Sequence, residues 1–166
     1  MRKFLPWIIA GAVVLFGYFY FKGINNTAVT LDQDVKESWG NVQTSYQRRN
    51  DLIGNLVKTV KGAADFEKST LEAVITARSK ATAVTIDPTN ITPEQLAQFN
   101  QAQSGVSSAL SRLLVTVEQY PDLKANQNFL KLQDELASTE NQILTARTRF
   151  NEAVKLYNRH VTIFPN

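Results

Sequence analysis

Between Val35 and Val60 the large side chains fall at Val35, Trp39, Val42, Tyr46, Ile53, Leu56 and Val60, in steps of four and three with one slot taken by Arg49. That rhythm places them on one narrow stripe of an α-helix, which needs a partner helix to cover it. The chain is therefore organised around a long helix with a charged residue in its own seam. Ala63, Phe66, Thr70, Val74, Ala77, Ala81 and Val84 continue a 3-4 stripe, with a break or sharp kink expected between Gly62 and Phe66. Lys61-Gly62 supplies a C-cap there and Asp65 an N-cap. Leu96, Phe99, Gln103, Val106, Leu110, Leu113, Val117 and Tyr120 form a third stripe. Phe129, Leu132, Leu136, Thr139, Ile143, Ala146, Phe150, Val154, Tyr157 and Val161 form a fourth.

These patterns predict helices over about 28–62, 66–84, 93–119 and 126–160. Ile86–Thr92, with Pro88, reads as a turn. Thr92-Pro93-Glu94-Gln95 reads as a helix start, with Thr92 as N-cap, proline at the first position and Gln95 completing a capping box. Pro121 ends the third helix and Phe164-Pro165 the fourth. Gly40 and Gly54 sit inside the first helix, where glycine weakens it relative to alanine; close packing beside them, or a slight bend, is expected.

A level count relates the two long helices. With Gly62 opposite Asn126, Arg49 lies 13 residues before Gly62, and 13 residues after Asn126 comes Thr139. Arg49 is thus expected to meet the Thr139–Glu140 turn, between Ile53 and Ile143, and to grip both Glu140 carboxylate oxygens as a fork. By the same count His160 lies level with Ala28. The predicted fold is all-α: an N-terminal single transmembrane helix (4–21), an exit linker (22–27), and an antiparallel up-down-up-down four-helix bundle (28–166) with long first and last helices.

The transmembrane assignment rests on Phe4–Phe21, 18 residues without a charge. At about 1.5 Å per residue this gives roughly 27 Å of helix, close to the hydrocarbon thickness of a bilayer. Trp7 near one end, Tyr18 and Tyr20 near the other, and Lys22 just beyond are the expected interface anchors. Pro6 falls in the first turn, where its missing N–H costs little. A cleaved signal peptide has the same basic start and apolar run. The anchor is preferred because the small-residue triplet Ala10-Gly11-Ala12 lies inside the run, so cleavage there strands an apolar stub. In Lys22–Thr27, Gly23, Asn25 and Asn26 weaken helix propensity, so the backbone either bends or continues straight here.

Charge and composition narrow the chemistry. Of 18 basic residues, Arg2, Lys3 and Lys22 flank the apolar run, which leaves 15 basic against 15 acidic elsewhere. A neutral domain without a basic block is a poor match for nucleic acid, whose affinity depends on phosphate neutralisation. Cysteine is absent, which excludes disulfides, thiolate metal sites and cysteine nucleophiles. No nucleophile elbow or glycine-rich phosphate loop occurs. His160 is the single histidine and has no carboxylate close in sequence, so no metal pair or catalytic dyad is indicated. No catalytic residue, cofactor or metal is expected.

The residues singled out are Arg49, Glu140 and Arg147, read as a buried ion-pair network that fixes helix register, the best-attested use of such pairs. A ligand site or polar switch is the competing reading. Arg48 and Asp51 are expected at the surface or as partners between helices.

The segments RRNDLIGNLVKTVKG (48–62), YPDLKANQNFLKLQDEL (120–136) and STENQILTARTRFNEAVKLYN (138–158) resemble the LemA family, in this order and over nearly the whole chain. The resemblance implies a bacterial single-pass membrane protein with a helical-bundle domain and no established enzymatic activity. It also implies a TPM-domain membrane protein as partner. Position 54 is glycine where the family often has proline, so a proline-imposed kink gives way to a glycine-permitted one. Relatives usually continue past the position of Asn166 with a hydrophobic tail, a place for a second membrane contact.

The expected function is a non-enzymatic, membrane-anchored scaffold or assembly protein presenting a coiled-coil-like bundle at the surface of the lipid bilayer, as a homo-oligomer. The alternative is a transmembrane sensor with a polar switch near Arg49. Gly11 and Gly17 offer packing contacts within the span. The expected location is the inner (cytoplasmic) membrane; Arg2, Lys3 and the terminal amine before the span, against Lys22 and Lys36 after it, slightly favour a cytoplasmic N-terminus with the bundle outside the cytoplasm.

Overall fold

A computed structural model of the chain describes residues 5–63 and 66–163. Arg2, Lys3, Phe4, the Asp65 N-cap and the Phe164-Pro165 stop lie outside the described residues. The fold is all-α, with α1 (Leu5–Lys61), α2 (Lys68–Ala83), α3 (Pro93–Val117), a single turn α4 (Pro121–Lys124) and α5 (Gln127–Thr162). Two compact units divide it: Met1–Ser38 with Thr148–Asn166, and Trp39–Arg147.

In the first unit, α1 begins at Leu5 with Pro6 in its first turn and carries the apolar run. Trp7 is 78% exposed, and none of the 18-residue apolar window is buried. One candidate membrane span is therefore present by length and composition. The segment 22–27, expected as a linker, is helical. Here Thr27 Oγ1 donates to the Gly23 carbonyl and Thr30 Oγ1 to the Asn26 carbonyl, both at 3.0 Å, bonds to the i−4 carbonyl that hold the hydroxyls along the helix without adding to its stability. Asp32 and Lys36 add an ion pair one turn apart at 2.5 Å. His160 Nε2–H, on α5, donates to the Ile24 carbonyl at 3.1 Å. In a helix that carbonyl is the acceptor for the Ala28 N–H, so the contact sits at the level counted from sequence.

The second unit is a bundle built from 39–61 of α1, from α2, α3 and α4, and from 127–147 of α5. The α1 stripe from Trp39 to Val60 is buried, including Arg49. Asn50, Leu52 and Val57 are buried too, because a bundle helix faces two neighbours and needs a wider face than a coiled-coil seam. Phe129, Leu113, Val106, Val74 and Ile53 fill the centre, and Leu71 on α2 joins them. Trp39 and Tyr46 pack edge-on against Phe99, with ring centroids 5.3 and 5.0 Å apart.

The connections follow local chemistry. After α1 the Gly62 N–H bonds the Lys58 and Thr59 carbonyls, and α2 begins at Lys68, two residues later than expected from periodicity. Phe66, before the helix begins, packs its ring against Tyr120, with centroids 4.8 Å apart and the planes tilted by 41°. Between α2 and α3, Asp87 accepts from the Thr89 N–H at 2.8 Å, and Gln43 Nε2 donates to the Ile86 carbonyl at 3.0 Å. The capping box forms: Gln95 N–H to Thr92 Oγ1 at 3.2 Å, and Thr92 N–H to Gln95 Oε1 at 3.0 Å. Pro121–Ala125, read from sequence as a plain connection, contains a helical turn because Pro121 pre-sets its first residue and Leu123 is buried beneath it. Asn126 caps α5 through its side chain, accepting from Asn128 and Phe129 N–H at 3.0 and 3.1 Å.

The two mid-helix glycines differ. An added Cβ at Gly54 meets the Arg78 guanidinium at 3.4 Å, whereas at Gly40 nothing lies within 4 Å. Of the two expected alternatives, close packing is found at Gly54 and not at Gly40. Gly40→Ala is expected to raise unfolding stability by about 0.5–1 kcal/mol through helix propensity alone, in chemical denaturation of the detergent-solubilised chain. Thr92→Ala should lower it by about 1 kcal/mol by removing one arm of the capping box.

Candidate functional site

The site is centred on Arg49. Its seam position on α1 points the side chain into the bundle, where the residue is 3% exposed. A guanidinium stays charged at any accessible pH, so its N–H groups must find acceptors inside. Nη2 donates to Gln103 Oε1 at 2.6 Å and lies 3.4 Å from the Gln103 carbonyl. Nη1 donates to Ser107 Oγ and to Glu140 Oε2, both at 3.2 Å. The guanidinium carbon stands 4.9 Å from the centroid of the Tyr46 ring, a cation–π distance. Nε has no acceptor among the described residues.

Two features depart from the sequence reading. Arg49 does not grip Glu140 as a fork: one nitrogen touches one oxygen, because Gln103 holds the other arm. Glu140 is 59% exposed, so the pair is a buried cation with a surface anion rather than a buried pair. Arg147 is exposed; its Nη1 lies 3.5 Å from the Tyr46 hydroxyl, so it reaches the Arg49 cluster only through that ring. Asp51 accepts from Gln47 Nε2 at 3.1 Å on the surface, and Arg48 is exposed.

Sequence reasoning passed over Gln103 and Ser107. Gln103 was legible as a polar residue in the α3 stripe, the counterpart of Arg49 in α1. Ser107, one turn on, carried no signal of its own. Arg78 was also missed: its Nε donates to the Asn50 carbonyl at 2.7 Å while the guanidinium lies over Gly54. An arginine on a mixed helix face gives no periodic clue to such a contact.

An open-sided groove of about 350 Å³ lies over this cluster, lined by α1, α3 and α5: Arg49, Ser107, Leu110, Ser111, Leu114, Gln133, Leu136, Ala137 and Glu140. Among the described residues, no group of three or more His, Asp or Glu is placed to hold a metal ion.

These contacts rank the partners of Arg49. Loss of the exposed Glu140 removes one charge-assisted bond that solvent already screens, whereas loss of Gln103 strips acceptors from a buried charge. In denaturant unfolding, Glu140→Leu should cost about 1 kcal/mol and Gln103→Leu about 2–3 kcal/mol. Double-mutant cycles with Arg49→Met should give a larger coupling for Gln103 than for Glu140. Equal couplings would mean that the guanidinium is shared evenly between α3 and α5.

Comparison with known proteins matches residues 38–166 to the LemA family. The chain is 29% identical to magnetosome protein MamQ 2 of Paramagnetospirillum magneticum, over 84% of this chain and 58% of that one. It is 28% identical to magnetosome protein MamQ of Magnetospirillum gryphiswaldense over the same shares. It is 25% identical to protein LemA of Metamycoplasma hominis, over 89% of this chain and 64% of the other. The chain thus spans about three fifths of the length of these curated relatives. Because the family match runs from 38 to 166, well over half of the chain, and takes in the whole second unit with its Arg49 cluster and all of α5, the chain belongs to the LemA family.

Proposed function

We propose that the protein is a non-enzymatic scaffold, anchored by one span in the inner membrane, that presents its bundle at the membrane surface and assembles with further copies of itself. The observation that carries this reading is the contrast within α1. Residues such as Ile8, Val13, Val14, Phe16 and Phe19 are exposed, while the same helix later supplies the buried stripe from Trp39 to Val60. Exposed apolar surface on this scale belongs in lipid or against another protein. The names of the magnetosome relatives tie related chains to a subcellular structure rather than to a reaction, which favours a structural role. The side of the membrane follows from Arg2 and Lys3 before the span, which favour an outward bundle.

The full chain should remain in the membrane fraction through an alkaline carbonate wash, and N-terminal sequencing should find the apolar run retained. Val13→Arg with Val14→Arg, costing about 2.5–3.5 kcal/mol per charge at mid-membrane, should release much of it. Protease should reach the bundle from outside intact spheroplasts, and cross-linking in native membranes should recover dimers or larger species. A mature chain beginning after residue 20, or monomer alone after cross-linking, would overturn the proposal.

A further inference from the structure

The groove over Arg49 has the makings of a binding site that a register pin alone does not require. Gln103, outside the groove lining, holds Arg49 Nη2 at 2.6 Å, and Ser107, in the lining, shares Nη1 with Glu140 at 3.2 Å, so two α3 contacts on Arg49 do not involve Glu140. Glu140 contributes one contact at 3.2 Å from a side chain that is largely in solvent. Such a carboxylate gains little from its pairing and gives up rotamer freedom to make it, so it is replaceable. Beside it the groove offers an apolar wall of Leu110, Leu114 and Leu136.

We propose that this groove binds a small amphiphilic carboxylate, whose head takes the place of the Glu140 side chain on Arg49 Nη1 and whose short apolar body lies on Leu110, Leu114 and Leu136. The chemistry of the lining selects this class. Arg49 is the only cation among the lining residues, so a head of one negative charge is matched when it replaces the Glu140 carboxylate there, and a doubly charged phosphate is not. The planar guanidinium suits a carboxylate. A volume of about 350 Å³ is at the small end of ligand sites, room for a body of a few carbons and too little for a lipid. Two sources share this chemistry: a free short acyl chain and the C-terminal leucine-like residue of a peptide. The proposal is independent of the scaffold reading.

The test uses the full chain in lipid nanodiscs, titrated with hexanoate and with N-acetyl-leucine, against empty nanodiscs. Hexan-1-ol and N-acetyl-leucine amide serve as uncharged controls. Saturable binding is expected for the carboxylates and not for the controls; the tighter of the two identifies the source. Glu140→Gln removes the competing charge and should tighten binding about fivefold. Ala137→Leu, on an exposed position that fills the groove without touching the Arg49 bonds, should weaken it about tenfold. Both variants keep Arg49 and its α3 partners, so neither result depends on tolerating the loss of a buried charge. Affinity unchanged in both variants, or no saturable binding of either carboxylate to the Glu140→Gln chain, overturns the proposal.

Discussion

A guanidinium that is 3% exposed must be supplied with acceptors wherever the fold puts it, and the second unit is arranged around that demand. Arg49 on α1 draws on Gln103 and Ser107 from α3, on Glu140 from α5 and on the face of Tyr46 from its own helix. An apolar stripe is nearly degenerate, since sliding one helix by a heptad restores similar burial. The Arg49 cluster is not degenerate. A slide of α1 by a single residue, about 1.5 Å along the axis, carries the guanidinium away from its α3 and α5 partners together.

Two further polar contacts on α1 act in the same sense. Gln43 holds the α2–α3 connection by the Ile86 carbonyl, and the Asn50 carbonyl receives Arg78 from α2. Arg78 reaches a backbone carbonyl because Gly54, one turn on, has no side chain to block the approach; its guanidinium lies 3.4 Å from where a Cβ would be. A helix carbonyl can accept a second bond, so this contact leaves the α1 backbone intact. Gln43, Arg49 and Asn50 thus hold the loop, α3, α5 and α2 against two turns of one helix. The apolar layers around Ile53, Leu56 and Val60 supply burial but no comparable directionality.

Much of this is legible in sequence because helix periodicity is local. The 4-3 stripes locate the long helices, and Thr92-Pro93-Glu94-Gln95 and Asn126 mark two of their starts through side chains that reach backbone N–H groups a few residues on. Counting along the two long helices sets Arg49 opposite Thr139 and Glu140, and in the structure Arg49 is 3.2 Å from Glu140. What periodicity misses is how acceptors are shared. A count between α1 and α5 says nothing of α3, so the fork on Glu140 was expected where Gln103 in fact takes one arm. Propensity alone left 22–27 open between a bend and a continuing helix, and the segment is helical. It also left close packing or a slight bend open at both mid-helix glycines, and packing is present at Gly54 and not at Gly40.

The division of labour around Arg49 separates what the fold needs from what it does not. The bond to Gln103 Oε1 is short and buried, and it already ties α1 to α3. A single 3.2 Å contact to a carboxylate that is 59% exposed adds little to stability, since solvent screens it and competes for both oxygens. If register were the whole purpose, an apolar residue at 140 with the α3 contacts intact would serve nearly as well. Glu140 instead keeps a negative charge at the mouth of a groove whose wall is leucine. It neutralises the buried cation when the groove is empty, and it can swing into water at small cost. A buried cation held through α3 and met at the groove by a largely exposed anion is the arrangement an exchangeable carboxylate site requires.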